Sequence, residues 1–244
     1  MPEGPSLIIA KEEMLLFLGK KIVAVAGNTK TDKEKLLNKK LLDIKTWGKH
    51  LLFCFDSLTL RIHFLMFGKY LVNEKREAGN ERLSMQFKNG EINLYACSVK
   101  LIEQPLDEIY DWTSDVLSDV WDAKAAKKKV KGLPNMMVTD ALLDQTIFAG
   151  VGNIIKNEVL YRIKVHPKTK IKNLPGKQLN DLIKEARNYS FDFLKWKKEH
   201  TLRKHWLAHT KKTCSRDGDK IIKEYLGKNQ RRSFFCNTCQ IFYK

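Results

Sequence analysis

The chain opens Met1-Pro2-Glu3-Gly4-Pro5, and the second and third residues could do chemistry together. Removal of an initiator Met ahead of a small residue would leave Pro2 as the N-terminus, a secondary amine. An α-amino group titrates at about pH 8, so an appreciable fraction is neutral and nucleophilic at neutral pH. A secondary amine that condenses with an aldehyde carbon forms a permanently cationic iminium, which is an electron sink. Glu3 beside it offers a carboxyl that can carry a proton to or from the reacting centre, which completes a minimal set for covalent and acid–base catalysis. A plainer reading uses the same residues: prolines start helices, and Pro5 stands where a first turn would begin.

Two further clusters lie in the second half. Cys236-Asn237-Thr238-Cys239 has the spacing of two thiolates on one turn, as tetrahedral zinc requires, and Cys214 supplies a third. A non-cysteine fourth ligand is then needed, and Asp217 and His209 are the candidates. Three unliganded thiols, or a redox disulfide, are the competing readings. The segment Phe148-Ala149-Gly150-Val151-Gly152-Asn153 places two glycines before a helical pattern, with Asn153 suited to cap it. A helix start of this kind can hold an anion on its outward-facing amides; equally, it can be a helical hairpin used for packing. Just ahead of the last cysteine pair, Arg231 would sit at a hairpin tip from which a guanidinium can fork onto phosphate.

The charge distribution says which anion to expect. Net charge is +17, yet residues 1–122 hold 17 basic and 18 acidic side chains, whereas residues 123–244 hold 28 and 10. So lopsided a balance is the footprint of a polyanionic partner, and without a basic amphipathic helix of continuous apolar face, nucleic acid is preferred to a membrane surface. No stretch approaches the roughly 20 apolar residues of a membrane span, and no leader pattern is present. Five cysteines, an odd number, suit a reducing compartment, so the protein is expected in the cytoplasm.

These groups need a scaffold. An apolar helix is expected from about residue 6 to 18, followed by short segments rich in Val, Ile, Leu and Phe at 21–26, 51–55, 58–64, 70–72, 84–87 and 92–94. Closely spaced strands with turn signals predict a β-sandwich or barrel. After the lysine-rich run from Ala123 to Pro134 the periodicity changes, and 138–149, 154–163 and 176–197 read as helices. The fold class is therefore α+β, divided into a sandwich (1–122), a linker (123–136), a helical domain (137–208) and a cysteine-bearing hairpin (209–244).

In chain order, Pro2-Glu3, Gly48-Lys49-His50-Leu51-Leu52, His63 through Gly68, Asp144–Glu158 and Cys236-Asn237-Thr238-Cys239 resemble the motifs of the formamidopyrimidine-DNA glycosylase and endonuclease VIII family over nearly the whole length. The resemblance implies an N-terminal β-sandwich led by a helix, then a helix-two-turn-helix domain with a zinc-finger hairpin holding one structural Zn²⁺, and duplex DNA bound by a monomer. It implies that Pro2 attacks C1′ of a flipped-out damaged nucleotide, that Glu3 is the acid–base residue, and that Lys49 holds a phosphate or assists protonation. Asn153 and Arg231 become phosphate clamps. His63, Leu65, Met66 and Phe67 contact DNA, the last three filling the gap in the stack, although a strand end buried in the core would also use such residues.

Three contiguous bulky residues resemble the endonuclease VIII branch, whereas the guanine-directed branch adds an Arg and a Phe from a second loop that residues 95–100 lack. The implied activity is removal of oxidised bases, pyrimidines in particular, followed by strand nicking through β- or β,δ-elimination. One departure is Ser6, where the family pattern has a second glutamate; Ser6 is expected to cap the first helix instead. It keeps open a second class of function, a catalytically silent binder of damaged DNA or structured RNA.

Overall fold

A computed structural model describes residues 2–244; Met1 lies outside them. The chain forms two compact units, divided between Tyr110 and Asp111.

The first unit begins with helix α1 (Gly4–Met14), entered through Glu3 in extended conformation with Pro5 in the first turn. Proline fits there because its missing N–H is one that no helical carbonyl would accept. Ser6 lies inside this helix, its N–H donating to the Glu3 carbonyl (2.8 Å), so Glu3 rather than Ser6 occupies the cap position. Six antiparallel strands follow: β1 (Ile22–Ala26), β2 (Asp43–Trp47), β3 (His50–Cys54), β4 (Thr59–Val72), β5 (Leu83–Phe87) and β6 (Gly90–Ile102). Their order is β1-β5-β6-β4-β3-β2, and the segments entering the two edge strands bond to each other through Lys21 and Lys40. The sheet thus wraps into a β-sandwich around Met14, Phe17, Leu51, Phe53, Leu60, Ile62 and Ile92, with Leu7 and Ala10 of α1 in the same core. A short helix, α2 (Leu106–Ile109), ends the unit.

Strands β4 and β6 are each longer than alternation alone suggests, because β4 carries an insertion. Phe64 pairs with Cys97 and Lys69 with Tyr95, so residues 65–68 stand opposite Ala96 alone. Ala96 accommodates them with a φ of 46°. Gly68 is required at the base, since a Cβ there would lie 2.6 Å from Phe64 Cβ and 3.0 Å from the Ala96 carbonyl oxygen. Residues 95–100 are consequently the middle of a strand rather than a loop.

The second unit contains α3 (Ala123–Lys131), α4 (Val138–Leu143), α5 (Asn153–Arg162), α6 (Gly176–Lys198) and the hairpin β7 (Ile222–Leu226) with β8 (Arg231–Phe235). The lysine-rich stretch is helical from residue 123 to 131: Asp122 Oδ1 accepts from the N–H groups of Lys124 and Ala125, while Ala126 and Val130, four apart, face the core. Helix α4 stops at Leu143, six residues short of the sequence expectation. There Asp144 Oδ1 accepts from the Thr146 N–H and hydroxyl, an Asx turn that competes with the helix. Gln145 then pins the loop, donating to the carbonyls of Leu143 and Val151 and accepting from the Gly150 N–H. A core of Leu142, Phe148, Ile155, Val159, Leu182 and Tyr189 joins the four helices.

Candidate functional site

In the first unit, Pro2 is half-buried directly ahead of α1 and Glu3 is only 3% exposed. The Glu3 side chain makes no capping hydrogen bond. Lys49 sits in the β2–β3 turn, which Gly48 makes possible at φ 54°. The Lys49 carbonyl accepts from His63 Nδ1 (3.1 Å), which ties this turn to β4 and sets the His63 tautomer. His50 Nδ1 is 3.2 Å from the Tyr110 hydroxyl, and the two histidine rings meet edge to face at 5.2 Å. Burial, reinforced by the charges of Arg61, His63 and Lys49, pushes His50 down to about 3. His63 is lowered as well, mainly by burial and against the pull of its bond to the Lys49 carbonyl. Both rings are therefore neutral beside Lys49 at neutral pH.

The β4 insertion carries Leu65, Met66 and Phe67, which are 51%, 58% and 81% exposed. The burial expected of a strand end does not occur, since the register shift takes all three out of the pleat.

In the second unit, Gly152 rather than Asn153 is the cap of α5, in extended conformation. Asn153 is the first helical residue, and its Nδ2 donates to the Arg232 carbonyl (2.8 Å). Arg231 is exposed at the start of β8, next to that carbonyl. Further along α5 lies a run of polar groups with no forewarning in the sequence. Lys156, Asn157 and Glu158 are 0%, 2% and 0% exposed. Lys156 Nζ donates to Ser233 Oγ (2.8 Å) and the Arg232 carbonyl (3.2 Å). Asn157 donates to His209 Nδ1 (3.0 Å) and accepts from the Phe234 N–H (3.3 Å). Glu158 accepts from the backbone N–H groups of Leu207, Ala208 and His209 (2.9, 2.9 and 2.8 Å). One helix therefore bonds to the hairpin both from its half-buried first residue, Asn153, and along its polar flank.

The ligand atoms of Cys214, Asp217, Cys236 and Cys239 all lie within 4.8 Å of one another, and this group could hold a metal ion. Cys214 Sγ and Cys239 Sγ are 3.7 Å apart, and Asp217 Oδ2 is 3.2 Å from Cys236 Sγ. Two sulfurs on one tetrahedral zinc, each about 2.3 Å from the metal, stand about 3.8 Å apart, so the spacing and donor types fit such an ion. The Asp219 N–H, followed by the Cys214 thiol, holds the Asp217 carboxyl below its ordinary range. Around the donors, the Tyr161 hydroxyl reaches Cys214 Sγ (3.1 Å) and Arg216 reaches Cys239 Sγ (3.4 Å). His209 is not brought into the group. Its ring packs edge-on against Trp206 and Phe234, and burial with the charges of Lys156 and Arg232 lowers it to about 4.

A helix–turn–helix braced against a thiol-bearing hairpin, preceded by a sandwich that begins Pro-Glu, defines a two-unit protein of the helix-two-turn-helix class. Residues 1–98 match the formamidopyrimidine-DNA glycosylase N-terminal domain and residues 113–194 the formamidopyrimidine-DNA glycosylase H2TH domain. The formamidopyrimidine-DNA glycosylase of Ureaplasma parvum is 30% identical over 260 residues, covering 92% of each chain. The endonuclease 8-like 3 protein of Mus musculus is 34% identical over 205 residues, 81% of this chain and 34% of the relative. Among solved structures, Lactococcus lactis formamidopyrimidine-DNA glycosylase bound to DNA with an abasic (AP) site has a TM-score of 0.85 at 25% identity, covering 98% of this chain and 99% of that one. The chain belongs to the formamidopyrimidine-DNA glycosylase family. It spans about a third of the length of the endonuclease 8-like 3 relatives it matches.

Proposed function

We propose that this chain is a base-excision-repair enzyme, a bifunctional DNA glycosylase and abasic-site lyase acting on oxidised bases, pyrimidines in particular. The observation that carries the reading is the pair at the start of α1: a buried carboxyl at Glu3 adjoins the half-buried Pro2, in a chain of this family. With Met1 removed, the Pro2 nitrogen attacks C1′ of an extruded nucleotide. The C1′–base bond breaks, the base leaves with a proton, and Glu3 protonates the sugar ring oxygen as the ring opens to an iminium. Extrusion is necessary because stacking otherwise shields C1′. The iminium acidifies C2′; loss of that proton expels the 3′ phosphate, and a second elimination at C4′ expels the 5′ phosphate. Water then releases Pro2.

Lys49 binds a backbone phosphate, beside histidines that are neutral and so do not compete for it. His63 orients the Lys49 turn and lies along the DNA strand. Leu65, Met66 and Phe67 enter the space left by the extruded nucleotide; their exposure on a β insertion supports this role, because wedges of this type must be ready before DNA arrives. Asn153 and Arg231 hold phosphates and position the duplex without reading its sequence. Zinc is assigned to Cys214, Asp217, Cys236 and Cys239, where it supplies a structural cross-link. The sandwich, the helical domain and the hairpin divide these tasks.

Borohydride trapping tests the proposal. Reduction during reaction should cross-link the protein to DNA that carries an abasic site or an oxidised pyrimidine, with the adduct on Pro2. An added N-terminal residue should abolish it, and Glu3→Gln should slow base release more than it weakens binding. Intact DNA affinity with no adduct or nicking across a lesion panel would instead establish the silent binder, with Ser6 as the place to look for the cause.

A further inference from the structure

A cavity of about 420 Å³ opens between α3 and α6, on residues that have no part in the proposed DNA contacts. Its floor is apolar: Trp121 and Ile183 line it, and Trp121 is braced by Phe148 with ring centroids 5.9 Å apart. Its rim is cationic, carrying Lys124 and Lys127 from α3 and Lys184 and Arg187 from α6. Among the described residues, no acidic side chain lines it. Arg187 is fixed by donation to the carbonyls of Val116 and Ser118 (3.0 and 2.9 Å). Lys124, Lys127 and Lys184 form no ion pair among the described residues. Three ammonium groups without ion-pair partners thus ring an indole and an isoleucine, so the groove joins apolar surface to uncompensated positive charge.

We infer that this groove is a docking site for an acidic amphipathic helix of a partner protein, whose apolar anchor fills the cavity over Trp121 while flanking carboxylates meet the lysines. Charge complementarity selects an anion, and the backbone selects its kind. A compact phosphate is usually held by free amides at a helix start. The α3 amides of Lys124 and Ala125 are already taken by Asp122, and the α6 wall is a mid-helix surface whose amides are bonded within the helix. What remains is flexible lysines spread along two helices, which suits several spaced carboxylates better than one phosphate. A groove between helices with an apolar floor is also the geometry that accepts an amphipathic helix. The volume suits one or two anchor side chains.

The probe is a capped 20-residue peptide with Leu and Phe at i, i+3, i+4 and i+7 and Glu elsewhere, titrated into the full chain while the Trp121 indole N–H is followed by NMR. The controls are a shuffled peptide of equal charge and dAMP. Saturable binding that shifts Trp121, weakens at least tenfold in Lys124→Glu/Lys184→Glu, and persists in Arg231→Ala and in the presence of duplex DNA is expected. Both reversed lysines are exposed, so the fold and DNA affinity should be retained. Equal binding of the shuffled peptide, insensitivity to the reversal, displacement by DNA, or dAMP binding at Trp121 in place of the peptide would each overturn the inference.

Discussion

Glu158 offers the sharpest test of how α5 is joined to the hairpin. Its two oxygens receive three backbone N–H groups: Leu207 on Oε2, Ala208 and His209 on Oε1. The side chain is fully buried, so water cannot replace any bond that is lost. Glu158→Gln keeps one oxygen with two lone pairs, enough for Ala208 and His209, but its amide group then faces the Leu207 N–H, donor against donor. One buried donor loses its partner and a charge-assisted set becomes neutral, which costs about 2–3 kcal/mol. Glu158→Ala strands all three donors and leaves a void, for about 4–6 kcal/mol or more, comparable with the whole stability of many domains. Urea unfolding gives the ranking, and hydrogen exchange at residues 207–209 gives the location: protection there should fall by about two orders of magnitude in the Gln variant. An unchanged midpoint with unchanged exchange in Glu158→Gln would refute the argument that a carboxylate is needed.

Three further outcomes follow from the site. His50 and His209 have folded values of about 3 and about 4, below the unfolded histidine, so their contribution to stability is present above the unfolded value and is lost as pH falls from about 6.5 toward those figures. At pH 5 each should cost up to about 2 kcal/mol relative to pH 7, read as a shift of urea midpoint that His50→Gln reduces; a flat profile from pH 7 to 5 would contradict it. Arg231→Ala should weaken DNA binding alike for all sequences and lower the salt slope by about one unit, and Asn153→Ala should weaken it likewise; loss confined to one sequence context would speak against phosphate contacts. Purified protein should hold about one zinc per chain, lost on Asp217→Ala but kept on His209→Ala by elemental analysis, and the reverse pattern would reassign the fourth ligand.

The sequence made some of this legible and concealed the rest for physical reasons. Short apolar segments bounded by turn residues exposed β1, β3 and β5, and helical periodicity exposed α5 and α6. It missed β2, where Asp43 and Lys45 flank Ile44 and no run of apolar residues appears, although the buried Ile44 alternates with them as a strand should. Strand β4 read as two pieces, because the insertion at 65–68 breaks the period of two while its hydrogen-bond ladder resumes on the far side. The segment 123–131 looked like a linker through its lysines, yet Ala and Lys are good helix formers, and Asp122 with Ala126 and Val130 supplies the cap and apolar stripe that decide the matter. The cysteines were plain from spacing. The choice between Asp217 and His209 was not, since it depends on a turn that brings the first to the thiols and a polar helix that holds the second away.

Hardest to foresee was the burial of Lys156, Asn157 and Glu158, since a run of polar residues on a helix ordinarily faces water. Their partners explain the exception: a backbone carbonyl, a serine hydroxyl, a histidine nitrogen and four backbone N–H groups, all on the hairpin or the loop leading to it. Apolar packing on that face would hold the hairpin to α5 without fixing its position along the axis, because such contact is non-directional. Hydrogen bonds to named backbone atoms fix the register. Asn153 and Lys156 converge on the carbonyl of Arg232, one residue from Arg231, so the helix that carries one of the proposed phosphate contacts also determines where the other stands. The phosphate clamp proposed for Asn153 and Arg231, drawn from two distant segments, needs its halves held to within about 0.5 Å, and a buried directional joint achieves that where a greasy one would not.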